Sequence, residues 1–220
     1  MSAVAENYAA ALATARPVST LCTSARFVVL DTETTGLDPR SDRLISIGAV
    51  AWVAGEVRVD DTFEVVMPIA YNKAAVTLHG ITRDASQNGL AEADALAAFL
   101  DYLGSGVMVA HHLNHDWRML AYAAREHHGV ELANARVDTA VLADRLLEAG
   151  AFGVAEPAGT SLDALCARFG LIPHDRHTAA GDAFLTALVF QRLAVMAMRR
   201  GWERVSDLML EEDDDARNGS

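Results

Sequence analysis

The stretch "RFVVLDTETTG" at residues 26–36 constrains this chain more than any other. Phe27, Val28, Val29 and Leu30 form a continuous apolar run, the pattern of a strand buried on both faces. The run ends in Asp31 and Glu33. Carboxylates rarely enter a core unless they are paired or hold a cation. In an extended strand, residues two apart share a face, so Asp31 and Glu33 are neighbours and Thr32 points the other way. Gly36 then releases the chain into a turn. Two hard oxygen ligands at the C-terminal end of a strand suit Mg²⁺ or Mn²⁺. Capping of the turn "TTGLDPRSD" is the competing explanation of the pair alone.

The rest of the chain reads as a mixed α/β domain. Strands are expected over 26–32, 43–55, 56–67 and 106–112, and helices over 3–15, 90–104, 114–129, 137–150, 161–170 and 182–200. Asp138 is the expected N-cap of the 137–150 helix. Residues 1–20 form a helical extension, 21–200 the main domain, and 201–220 a helical turn with an acidic tail. With 220 residues, 51% of them hydrophobic, a sizeable core is available to the main domain. Three meandering strands followed by alternating helix and strand imply a mixed sheet with helices on its faces. No continuous apolar run reaches the roughly 18 residues of a membrane span, and the N-terminus lacks the apolar stretch of a secretory signal. Cys22 and Cys166 are too few and too far apart for a disulfide framework, and fit free core thiols in a reducing cytoplasm.

The formal net charge is −12, which argues against a broad basic surface for long duplexes. The run "EEDDD" at 211–215 carries five of those negatives. Setting these aside, with four carboxylates that could serve as ligands, leaves −3 on the rest. Bulk acidity therefore does not exclude a phosphate-backbone substrate.

Two further acids stand at helix starts. Asp116 lies in "NHDWRML" and Asp182 in "HTAAGDAFLTAL". An acid in a first helical turn is explained by the helix dipole alone. His177 adds a second consideration for Asp182. A loop histidine beside a metal ligand has the chemistry of a general base.

Together "DTETTG" at 31–36, "VAHHLNHDWRML" at 109–120 and "HTAAGDA" at 177–183 resemble the three motifs of the DEDDh 3′–5′ exonucleases. That group includes the proofreading subunit of bacterial DNA polymerase III and ribonuclease T. "LHGIT" at 78–82 is similar to a further segment of the group, and the resemblance spans about residues 26–195. It implies a ribonuclease H-like α/β fold, a mixed five-stranded sheet flanked by helices. It also implies two divalent metal ions, Mg²⁺ or Mn²⁺, held by Asp31, Glu33, Asp116 and Asp182, with His177 deprotonating the attacking water. Asp31 would bridge the ions. Thr34, Gly36, His79 and His111 become candidate substrate contacts. The implied partner is a nucleic acid with a free 3′ end, single-stranded, with a polymerase or a second copy of the chain as further partners.

The chain departs from the family pattern at His112, where Asn is usual, at His115, where an aromatic is usual, and at Ala74, where one branch has an acid. The added histidines are expected to be packing substitutions. Alternatives stay open: an RNA-trimming exoribonuclease of the same family, or a catalytically weak nucleic-acid-binding subunit of a polymerase or repair complex. "HD" at 115–116 also occurs in all-helical phosphohydrolases, but the strands over 26–67 oppose that fold. "HHLNH" has the spacing of a zinc peptidase, yet His112 stands where the required Glu would be.

Overall fold

A computed structural model of the chain describes residues 2–13, 17–68, 89–153 and 158–209. The expectations for His79, Ala74, "LHGIT" and the acidic tail lie outside the described residues. The first helix, α1, spans Ala3–Ala13. Strands β1 (Arg26–Thr34), β2 (Leu44–Val53) and β3 (Glu56–Val66) follow as an antiparallel meander. Then come α2 (Glu92–Leu103), β4 (Val107–Ala110), α3 (Asn114–His128), β5 (Arg136–Asp138) and α4 (Thr139–Glu148). Helices α5 (Leu162–Phe169), α6 (Ala179–Arg199) and α7 (Val205–Leu208) follow, and two short 3₁₀ turns, Pro17–Ser19 and Cys22–Ser24, precede β1.

The five-stranded sheet has the order β3-β2-β1-β4-β5, with β4 and β5 parallel to β1. The central position of β1 explains its unbroken apolar run. Alternation along β1 then divides the molecule. Phe27 and Val29 face a core layer with Trp52 and with Phe190 of α6. Val28 and Leu30 face the opposite layer with Phe99 of α2 and Leu120 of α3. Asp31 and Glu33 inherit the α6 side of the sheet, and Thr32 the α3 side.

Several boundaries differ from the sequence reading by a few residues, and two of them bear on the site. Residues 136–138, expected as loop and helix start, form β5. Three residues are too few for a periodicity signal, and the strand exists because Met108–Ala110 offers it a parallel edge. Asp138 still caps α4 as expected, accepting from the Ala140 amide at 2.8 Å. Helix α6 begins at Ala179, three residues before the expected start, because the Thr178 hydroxyl caps it by accepting from the Gly181 amide at 3.1 Å. This helix is long and apolar enough by composition to cross a membrane, yet its apolar face is core, packed on β1 and β2. Cys22 and Cys166 are both buried and free, as the sequence implied.

Both ends of the described chain dock on the domain. Buried Tyr8 of α1 donates to Asn134 at 2.5 Å, and Leu21 pairs with Arg204 next to α7.

Candidate active site

The site lies where β1 leaves the sheet. Asp31, Glu33 and Asp182 each offer an oxygen, and these oxygens lie within 4.8 Å of one another. Asp31 and Glu33 come from one face of β1, and Asp182 from the first turn of α6. What lets α6 approach is Gly48 of β2, the residue directly paired with Asp31. A Cβ at position 48 would lie 2.3 Å from the backbone of Ala179 and Ala180, so only glycine admits the helix start. Gly181 performs the same service inside the turn, where a Cβ would stand 2.1 Å from the Asp175 carbonyl.

Asp116 reaches the site from the other side of the sheet. It is buried, and its Oδ1 accepts two hydrogen bonds from Thr32, one from the amide at 2.8 Å and one from the hydroxyl at 2.7 Å. The start of α3 is positioned by Asp138, whose carboxylate accepts from the amides of His112 (3.2 Å) and Leu113 (2.8 Å). His112 sits at φ +60°, a conformation that Asn, Asp and His adopt more readily than other side chains. That accounts for its tolerance of a histidine.

Four carboxylates meeting at low solvent access disfavour their own charge. Burial raises the Asp31 pKa well above its ordinary value, and the charges of Asp116, Asp182 and Glu33 add to this. Burial likewise raises Asp116, against the lowering effect of the Thr32 hydrogen bonds. A donor set of hard oxygens with excess negative charge fits a divalent cation. Asp31, Glu33 and Asp182 are the residues that could hold one, with Asp116 behind them.

One cation within the chain already addresses this charge. Arg176 Nε donates to Asp182 Oδ1 at 2.5 Å, and its Nη1 pairs with Asp163 of α5. Sequence reasoning missed Arg176 because an arginine in a polar loop looks like solvated surface. Its place beside His177 was the available signal. Gly48 was missed as well, although a glycine inside the apolar run "LISIGAV" is the usual mark of a close backbone approach.

The remaining candidates fall at different distances from the carboxylates. His177 is exposed on the turn before α6 with φ +63°, and its backbone amide donates to Asp182 Oδ2 at 3.1 Å. Its imidazole makes no hydrogen bond among the described residues. The Thr34 hydroxyl donates to the Gly36 carbonyl at 2.7 Å and lies 3.3 Å from His115 Nε2. A Cβ at Gly36 would meet the Asp42 carboxylate at 2.5 Å and displace that side chain. His111 is half-buried, with Nδ1 2.8 Å from the Thr139 hydroxyl and its ring edge-on to His112 at 4.6 Å. Burial pushes its pKa down to about 4, so the ring is neutral at physiological pH. Burial also lowers His115. His112 is exposed and His115 half-buried, so of the two only His115, beside Thr34, has the burial of a packed side chain.

A five-stranded mixed sheet carrying a carboxylate cluster at the end of its central strand defines an α/β domain with a candidate metal site. The exonuclease family model (RNase_T) matches residues 28–190, and the chain belongs to that family. It is 35% identical over 188 residues to a DNA polymerase III PolC-type of Thermotoga petrophila, covering 84% of this chain and 13% of that protein. It is 38% identical over 182 residues to a DNA polymerase III subunit epsilon-like protein of Rhodobacter capsulatus, covering 80% of this chain and 24% of the relative. The chain thus spans a minor part of these relatives' length. Among solved structures, E. coli exonuclease I in complex with a dT13 oligonucleotide superposes with a TM-score of 0.65 at 19% identity, covering 81% of this chain and 43% of that one. Cell-death related nuclease 4 (CRN-4) gives a TM-score of 0.66 at 17% identity, covering 82% and 66%. These likenesses show the fold expected from the sequence, the ribonuclease H-like sheet with flanking helices.

Proposed function

We propose that this chain is a metal-dependent 3′–5′ exonuclease. It hydrolyses phosphodiester bonds at a nucleic-acid 3′ end and releases nucleoside 5′-monophosphates. The observation that carries this is the convergence of Asp31, Glu33 and Asp182 within 4.8 Å, in a chain of the exonuclease family. Asp31, Glu33 and Asp182 would hold divalent ions, Mg²⁺ or Mn²⁺ and two in number. Bound ions supply a low-pKa water and neutralise charge on the phosphoryl oxygens. Asp116, tied to Thr32, keeps negative charge behind Asp31 and serves as the fourth acid.

His177 is the general base. Its backbone is anchored to Asp182 while its imidazole stays in solvent, able to accept a proton from the attacking water and release it outside the site. Thr34, Gly36 and His111 are the proposed contacts of the terminal nucleotide, Thr34 and Gly36 following closely on Glu33 in the chain. DNA is the favoured substrate, since these relatives carry the name of DNA polymerase III. The location that follows is the cytoplasm, beside a polymerase or as a homodimer.

A second reading has one observation in its favour. The Arg176 guanidinium engages a ligand oxygen of Asp182, as in a site that binds nucleic acid and cuts it weakly. A digestion panel separates the two: single-stranded and duplex DNA, RNA and short oligonucleotides, each with Mg²⁺, Mn²⁺ or EDTA. Metal-dependent release of 5′-mononucleotides from the 3′ end is expected. Intact substrate in every metal, with retained binding, supports the weak subunit.

A further inference from the structure

A surface groove runs counter to the chain's net charge of −12. Its cavity of about 510 Å³ lies between the loop after β1 and the outer face of α3. Both walls start at the carboxylates. The loop leaves β1 after Thr34, the residue following Glu33, and α3 begins two residues before Asp116. The contact of Thr34 with His115, at 3.3 Å, joins the walls at the site end.

The groove is lined by Arg40 from the loop and by Trp117, Arg118, Tyr122 and Arg125 from α3. Arg118, Tyr122 and Arg125 recur at helical spacing, so they share one face, while Asp116 points the other way into the core. All three arginines are exposed, and none makes an ion pair with a carboxylate among the described residues. Arg125 lies 5.6 Å over the Tyr122 ring. The groove's acids do not cancel this. Asp38 is held in its own turn, accepting from the Arg40 amide at 3.0 Å, and Glu131 is a single carboxylate. Arginines concentrated beside aromatic rings, without carboxylate partners, are the donor set for a phosphate backbone carrying unpaired bases.

We propose that this groove is the track for the phosphate backbone of an unpaired polynucleotide strand whose 3′ end lies at Asp31, Glu33 and Asp182. This rests on the exonuclease function proposed above. Arg118 and Arg125, about 10 Å apart along the helix axis, grip phosphates upstream of the cleaved bond, and Arg40 closes on them from the opposite wall. Grip through phosphates is indifferent to base sequence and weakens with salt.

The test is fluorescence anisotropy with a labelled oligothymidylate of about twenty nucleotides, titrated with NaCl in Ca²⁺ so that binding is read without turnover. The full-length Arg118→Gln/Arg125→Gln protein is compared with wild type, and Arg40→Gln is a separate variant on an independent element. The double variant should lose about tenfold in affinity, and its log–log salt slope should shrink by about 1.4, or 0.7 per lost contact. Affinity for a dithymidine monophosphate, too short to enter the groove, should change less than about twofold. Unchanged affinity and slope for the long strand overturn the proposal, as does an equal loss on the dinucleotide. A larger loss on blunt duplex than on single strand overturns the assignment to an unpaired strand. A wild type that binds through these arginines but releases no nucleotide in Mg²⁺ or Mn²⁺ leaves the track standing and overturns the exonuclease. Hydrolysis by wild type with unaltered binding by the variants does the reverse.

Discussion

Replacing Asp31 with Asn removes a self-repelling charge and a metal ligand at once, and the two losses move stability in opposite directions. In the metal-free protein, burial and the charges of Asp116, Asp182 and Glu33 raise the Asp31 pKa well above its ordinary value. The folded state therefore holds a proton that the unfolded chain has released. Stability is complete below the unfolded carboxylate value near 3.9. It is lost at about 1.4 kcal/mol per pH unit as pH rises from there to the folded value. Asn carries no charge and escapes this loss. Relief of an uncompensated buried charge is worth on the order of 1–3 kcal/mol, and a domain of this size shifts by about 2–4 °C per kcal/mol. By differential scanning fluorimetry in EDTA at pH 8, Asp31→Asn should melt at least about 2 °C above wild type. The gain should vanish near pH 4. In Mn²⁺ at about 100 times its dissociation constant, wild type should gain about 2.7 kcal/mol and the variant almost nothing. A variant that melts lower than wild type in EDTA at pH 8, or one whose gain persists at pH 4, would refute the account of Asp31 as a charge waiting for a cation.

Thr32→Val keeps the side-chain shape but removes the 2.7 Å hydroxyl donor to Asp116. A bond to a charged acceptor is worth about 1.5–3 kcal/mol, so the Asp116 pKa rises further and the acid limb of the pH–rate profile should move alkaline by about 1–2 pH units. An unmoved limb removes Thr32 from the site. Gly48→Ala places a Cβ 2.3 Å from the start of α6. It should cost about 1–3 kcal/mol in urea unfolding and weaken Mn²⁺ binding through displacement of Asp182; wild-type values for both would show that α6 does not set the site. His177→Ala should lower kcat by about 10²–10⁴-fold with KM little changed, and a loss confined to KM would reassign His177 to substrate binding.

The elements were legible where the local pattern was long. The apolar run of β1, the alternation that puts Asp31 and Glu33 on one face, and the Asp138 cap all appear in the structure as read. β5 was not legible, because three residues carry no period and the strand depends on the edge of β4. Arg176 was not legible as a site residue either. Its pairing with Asp182 and Asp163 joins residues from a turn, α6 and α5, and no spacing rule connects them.

By itself, the sequence determined which groups are available: four carboxylates, a loop histidine and a strand apolar enough to be central. It also determined the face of β1 from which Asp31 and Glu33 project, since backbone alternation is local. Only the tertiary structure decided that Asp182, about 150 residues further on, stands within 4.8 Å of them, through the absence of a Cβ at Gly48. It likewise decided that Arg40, Arg118 and Arg125 share one groove in an acidic chain. Proximity between distant side chains is set by how elements pack, and packing depends on the volume left by residues remote from both.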